Sequence, residues 1–162
     1  MTDKTCQPVS VSRTINASAQ RLFTILTHTA NHPIIDGSGM VREPHPDRVL
    51  SAVGDVFLMH MHNAEAGNYE MNNHVVEYEY ARRLVWEPVL AASSHPEAEI
   101  GVSARYRWGF DLMPVDSEHT VVTETFDCTD SPDWLQGATQ GGEGWIDAMT
   151  ATLKNLETAA TD

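Results

Sequence analysis

Three of the chain's eight histidines, His60, His62 and His74, stand beside three of its seven methionines, Met59, Met61 and Met71, in the stretch FLMHMHNAEAGNYEMNNHVVEYEY, Phe57 to Tyr80. Side chains alternate across a strand, so His60 and His62 share a face with Leu58, and Phe57, Met59 and Met61 take the other. A hairpin turning around Glu65 and Ala66 sets His60 opposite Asn72 and Leu58 opposite His74. All three histidines then lie on one face with Glu70 and Asn72, and Phe57, Met61, Met71 and Val75 lie on the opposite one. Continuing the pairing brings Trp86 near Glu77 on the methionine side. Imidazoles on neighbouring strands can share a metal ion, with Glu70 completing the set. A solvated polar sheet face explains the same pattern without a ligand, and on that reading no metal is assigned. The greasier face is then the concave one, where adaptable, polarisable methionines suit a pocket.

Carboxylates and phenols are the other candidates for chemistry. Glu124, in VVTETFD, has two readings. If Val121, Thr123 and Thr125 face inward, it pairs outside with Arg105 and Arg107. If Val122 and Phe126 point in, it becomes a buried carboxylate with a raised pKa, fit for a general base. Glu77 raises the same question, and Tyr78 and Tyr106 are alternative proton carriers. In VSARYRWGF, alternation groups Val102, Ala104, Tyr106, Trp108 and Phe110 against Ser103, Arg105, Arg107 and Asp111. Tyr106 and Trp108 can flank a flat ligand and orient it with a polar atom, or simply fill core volume. The pair Ser93 and His95 in SSHP has no nucleophile elbow, and GATQGGEG lacks the phosphate-loop lysine, so the latter reads as a hinge into the last helix.

These residues need elements to hold them. A chain of 162 residues with no repeat or low-complexity linker reads as one domain, 1–162. Val9, Val11 and Ile15 mark a strand, and Leu22, Ile25, Leu26 and Thr29 follow at helical spacing with Ser18 as N-cap. From Met40 to Asp127 strand segments follow one another: MVREP, RVLSAV, DVFLMHMHN, NYEMNNHVVEYEY, RLVWEPV, VSARYRWGFDLMPV and HTVVTETFD. Short turns between them favour an antiparallel meander over a parallel sheet. A final helix from Glu143 to Ala159 carries Trp145, Met149, Leu153 and Leu156 along one stripe, which requires a sheet to cover it.

Composition narrows the partners. Asp and Glu number 23 against 10 Lys and Arg, and the resulting net charge of −13 repels nucleic acid and anionic membrane surfaces. Small neutral or cationic ligands remain open. No uninterrupted apolar run is long enough to span a bilayer and no N-terminal targeting signal stands out, so the expected location is the cytoplasm, without membrane insertion. Cys6 and Cys128 stand far apart, which fits two reduced thiols.

Strand, helical segment, long antiparallel sheet and C-terminal helix together resemble the helix-grip fold of the START-like, or SRPBCC, superfamily, which includes Bet v 1-like proteins. The likeness runs from VSRTINASAQRLFTILTHTANHPIIDG through NHVVEYEYARRLVWEP and RYRWGFDLMPVDSEHTVVTETFD to GWIDAMTATLKNL. Within the superfamily the chain is most similar to the polyketide cyclase/dehydrase and lipid-transport group. The resemblance implies an α+β fold, a curved antiparallel sheet around a long C-terminal helix, with an internal cavity for an apolar or aromatic small molecule. Combined with alternation, it makes Trp86, Tyr106, Trp108 and Phe110 the walls, Met59, Met61 and Met71 the floor, and Trp145 and Met149 the helical lid.

The leading function is binding or transport of such a ligand, with no cofactor. The alternative is a cyclase or dehydratase in which Glu77, Glu124 or Tyr106 moves protons. A third reading is a protein-interaction or stress-response component, and a homodimer is compatible with the chain. Replacing Trp108 by Ala should weaken binding of an apolar dye far more than replacing Arg107 by Ala, and equal loss in a fluorescence titration would contradict the proposed orientation of this strand.

Overall fold

The computed structural model describes residues 7–43 and 46–161; Cys6 lies outside the described residues. The chain opens with β1 (Val9–Ile15) and turns into α1 (Ala19–Thr27), whose first turn is capped by the Ser18 hydroxyl accepting the Arg21 N–H at 3.1 Å. Leu22, Phe23, Ile25 and Leu26 form its buried stripe. A 3₁₀ turn at Thr29–Asn31 leads into the short α2 (His32–Ile35), where Pro33 sits in the first turn and needs no N–H partner.

Six further strands follow: β2 (Val41–Arg42), β3 (Val56–Asn63), β4 (Gly67–Glu79), β5 (Arg83–Ser93), β6 (Arg107–Pro114) and β7 (Thr120–Asp127). They form one curled antiparallel sheet in the order β1-β7-β6-β5-β4-β3-β2, in which the first strand returns to pair with the last. After β7 come α3 (Asp133–Ala138), a 3₁₀ segment at Gln140–Trp145 and the long α4 (Ile146–Thr161). Met149, Leu153 and Leu156 are buried on α4, as their spacing requires. No helix among the described residues is long and apolar enough to cross a membrane.

The strand reading fails at RVLSAV. Arg48 to Val53 is not a strand, because its backbone groups are taken by the preceding helical region and by one carboxylate. Leu50 N–H donates to Thr27 O at 2.9 Å, and Thr29 N–H to Arg48 O at 3.0 Å. Asp55 accepts from the Ser51 and Ala52 N–H groups at 2.8 and 3.2 Å. The segment therefore covers the end of α1 and buries Leu50 there. Among the described residues of MVREP, Val41 and Arg42 pair with β3, and Met40 O accepts from His62 N–H at 2.8 Å.

The hairpin of β3 and β4 is shifted by two residues from the expected register. Asn63 Oδ1 accepts from Glu65 and Ala66 N–H at 3.0 and 2.6 Å, which tightens the turn and sets His60 opposite Glu70 and Leu58 opposite Asn72. A shift of two leaves every side chain on its expected face. The irregularity between Val75 and Glu77 does change faces: the extra residue pairs Val75 with Trp86 and sends Glu77 to the outer surface, with Tyr78 turned toward Phe23. Before β6 the expected alternation breaks as well. Arg105 has φ +58°, and Val102 is 55% exposed instead of facing inward.

The α2–β2 connection is held against α4. Gly37 N–H donates to Thr152 Oγ1 at 2.9 Å, and Asn155 Nδ2 donates to Ile35 O at 3.2 Å. A Cβ on Gly37 would lie 2.3 Å from Ala148 O and 2.6 Å from Thr152 N, so only glycine permits this approach. Gly37→Ala is expected to cost about 2–3 kcal/mol by overpacking, whereas Gly137→Ala, with open space at its Cβ, should stay within about 1 kcal/mol of the parent. Urea denaturation of the two variants checks the contrast.

Candidate functional site

The inner face of the sheet and α4 do not meet everywhere. Between them lies a cavity of about 200 Å³, bounded by β3 to β7, by α2 with its following loop, by Leu135 and by the start of α4. All nine residues expected to touch a ligand line it: Met59, Met61 and Met71 from β3 and β4, Trp86 from β5, Tyr106, Trp108 and Phe110 in and before β6, and Trp145 and Met149 at α4.

The aromatic rings are locked together at the walls. Trp108 lies 4.6 Å from Phe126 and 5.4 Å from Trp145 between ring centroids, the latter edge-on. Trp86 is 5.9 Å from Phe110 and stacks on His32 at 5.6 Å. Such offset and edge-to-face contacts fix ring orientation as well as filling space.

Glu124 is the unusual member. On β7, Thr120, Val122, Glu124 and Phe126 are buried, so the second of its two sequence readings is the one realised. Its cross-strand neighbours are Val11 on β1 and Phe110 on β6, whose side chains cannot donate a hydrogen bond. The nearby cation Arg13 is engaged elsewhere, with Nη2 2.8 Å from Glu157 Oε1 on α4. Arg107, once a candidate partner, instead reaches Glu87 at 3.2 Å on the outer face. Glu124 is 6% exposed, and its Oε1 has no hydrogen-bond partner. Burial raises its pKa to about 8, and the negative charge of Asp36 adds to the effect.

Asp36 caps α2 and also lines the cavity. Its carboxylate accepts from the Ser38 hydroxyl and N–H at 2.8 and 3.0 Å, and from Val41 N–H at 3.2 Å. His32 is buried beside it. Since the Leu26 carbonyl can only accept, Nε2 carries the hydrogen in their 2.8 Å bond. Burial holds the His32 pKa below its usual value, outweighing that bond and the attraction of Asp36. Burial also pushes the Tyr106 hydroxyl well above the ordinary tyrosine range. A second unpartnered polar atom at the cavity wall is Trp145 Nε1.

Glu77 and Tyr78 stand apart from this group and do not line the cavity. Glu77 is paired with Arg83 Nη2 at 3.0 Å, and that contact lowers its pKa. Trp134 is 66% exposed and does not line the cavity. The histidines are also outside: His60 Nδ1 lies 3.4 Å from Glu70 Oε1, His62 Nδ1 is 2.8 Å from Asn68 Oδ1, and His74 is exposed. Among the described residues, no group of three or more His, Cys, Asp or Glu is arranged to hold a metal.

Several wall residues escaped sequence reasoning, Asn73, His32 and Asp36 among them. Asn73 shares the parity of Met71 and Val75 and was legible from it; its amide donates to Phe57 O at 3.3 Å. His32, Asp36 and Phe126 enter the cavity only once α2 and β7 are placed.

Neither a protein-family model nor a curated protein matches the sequence. Solved structures do match the fold. An AHSA1-like protein from Aeromonas hydrophila is 17% identical, with 96% of each chain covered and a TM-score of 0.59. A norcoclaurine synthase point mutant from Thalictrum flavum, in complex with a transition-state analogue, is 11% identical, covering 95% of this chain and 93% of its own, with a TM-score of 0.60. The Aha1 dimer from Colwellia psychrerythraea is 16% identical over 95% of this chain and 96% of its own, with a TM-score of 0.53. The chain therefore has the helix-grip fold, as its sequence resemblance implied.

Burying an unpaired carboxyl has a measurable consequence. Between the ordinary value of 4.5 and about 8, the unfolded chain has released the Glu124 proton while the folded chain retains it. Stability is therefore lost as pH rises through that window. Glu124→Gln removes the penalty, and denaturation at pH 7 should show the variant more stable by on the order of 3 kcal/mol, with the difference vanishing near pH 4.

Proposed function

We propose that this protein binds a small aromatic or otherwise apolar molecule carrying one polar group, held between the sheet and α4. The observation that carries the reading is the pair of buried polar atoms without partners, Glu124 Oε1 and Trp145 Nε1, on residues of an aromatic-walled cavity. Buried polar groups are ordinarily satisfied, and polar ligand atoms are the natural partners: a donor for the Glu124 oxygen and, separately, an acceptor for the indole N–H. The apolar body would stack among Trp86, Trp108 and Phe110 over the methionine floor.

Size narrows the ligand further. An engineered cavity of about 150 Å³ takes a benzene molecule, so about 200 Å³ suits one or two rings. That volume favours such a molecule over a diacyl lipid or a long polyketide chain. Both ligand readings gain over a pure protein-interaction role, which needs no hollow interior.

The second reading is proton-transfer catalysis of the cyclase or dehydratase type, and the pKa of Glu124 near 8 favours it. A carboxyl that is still protonated at neutral pH can donate to a leaving oxygen and accept afterwards from an activated carbon. Glu77, tied to Arg83 on the outer face, has no part in this version.

Displacement of a neutral fluorescent dye by a panel of one- and two-ring compounds tests the binding role. Micromolar or tighter displacement, weakened at least tenfold by Trp108→Ala, is expected. No displacement by any of them would contradict it. Turnover of a displacing compound that disappears in Glu124→Gln while binding persists would select the catalytic reading.

A further inference from the structure

We infer that the cavity is built for an organic cation, a protonated amine on a one- or two-ring apolar body, whose ammonium group meets the Glu124 carboxylate. This inference rests on the ligand-binding reading above and adds the charge class of the ligand.

Among the described residues, the cavity wall includes Glu124 and Asp36 but no lysine or arginine. An anionic ligand such as a fatty acid would meet the negative charge of Asp36 with no compensating cation, in a buried site where repulsion is weakly screened. A neutral ligand can hydrogen-bond to the protonated Glu124 carboxyl, but it leaves the ionised carboxylate without a counter-charge. A cation supplies what the fold withholds: Val11 and Phe110 flank Glu124 on either side, and Arg13 is committed to Glu157.

The walls fit the same class. Trp86, Trp108, Trp145, Phe110 and Phe126 line the volume, and aromatic rings attract ammonium groups through their quadrupoles. The net charge of −13 acts in the same direction over longer range, drawing cations toward the surface.

The other titratable groups that line the cavity are His32, Asp36, Tyr69 and Tyr106. From α2 and its cap come His32, kept neutral by burial, and Asp36, held by Ser38 and Val41. Tyr106 is pushed to a higher pKa and stays neutral through the physiological range. Tyr69, also raised by burial, behaves likewise. Arg13 and Glu157 neutralise one another on β1 and α4. Glu124 is thus the group whose protonation changes when an ammonium arrives: the free cavity holds the carboxyl and its proton, the complex holds carboxylate and ammonium, and one proton leaves to solvent.

Tryptamine, 3-methylindole and indole-3-acetate share one ring system and carry a positive, zero and negative charge, so they form the test. Isothermal titration at pH 6, 7 and 8, each in two buffers of different ionisation heat, reads both affinity and proton release. Tryptamine is expected to bind at least tenfold tighter than 3-methylindole at pH 8, and indole-3-acetate weakest. Tryptamine affinity should rise by about tenfold per pH unit from 6 and level off near 8, with close to one proton released at pH 6. Glu124→Gln, folded and more stable by denaturation, should bring the tryptamine to 3-methylindole ratio close to one and abolish proton release.

Equal or tighter binding of 3-methylindole, without pH dependence, would overturn the cation inference and leave the aromatic-ligand reading standing. Preference for indole-3-acetate would overturn the inference and the charge argument behind it. Failure of all three indoles to bind would overturn the inference, and failure of the wider dye-displacement panel would bring down the ligand reading as well.

Discussion

A sheet that curls around a helix has one inner face, and the parity of each strand decides which side chains enter the space that α4 leaves open. On β3 and β4 the parity delivers Met59, Met61 and Met71 to the cavity and keeps His60 and His62 outside. On β7 it delivers Phe126 and, unavoidably with it, Glu124. A single irregularity after Val75 reverses the assignment on β4, so that Glu77 meets Arg83 on the convex surface and Tyr78 packs against Phe23. Chemistry in this molecule is thus apportioned by counting residues along strands.

The placement of Glu124 opposes stability. Its neighbours across the sheet are apolar, the nearby arginine serves another carboxylate, and Asp36 adds repulsion. A glutamine or leucine there would satisfy the core better. Residues that break a local rule without a structural compensation cluster at sites of function. On the outer face, by contrast, Arg83 is shared by Glu77 and Asp111, and Ser10 and Ser12 pair with threonine hydroxyls of β7. The contrast between these paired outer side chains and an unpaired inner carboxyl supports reading the cavity as a site.

Much of this arrangement is legible before folding, for reasons of period. Alternation in VFLMHMHN and the stripe of Met149, Leu153 and Leu156 each identify a buried face from the residues alone. The two-residue register shift at the β3–β4 turn did no harm, since parity is insensitive to even shifts. What the sequence conceals are features set by tertiary partners. The irregularity in β4 has no local signature, and neither does the diversion of Leu50 to the end of α1. The two readings of Glu124 differ only in which neighbours turn inward, and TVVTETFD alternates well enough for either. Its pairing with Val11 and Phe110 decides between them. His32 and Asp36 reach the cavity because Gly37 lets α2 lie against α4, a contact between residues more than a hundred positions apart.

The central claim, that Glu124 sits desolvated in a binding cavity, is tested most directly by carbon-detected NMR titration of the glutamate side-chain carboxyls. The Glu124→Gln spectrum assigns the resonance. The structure predicts a midpoint near 8, well above the ordinary value of 4.5. A Glu124 resonance titrating in the ordinary range would mean that its carboxyl is solvated or paired, and would contradict the account.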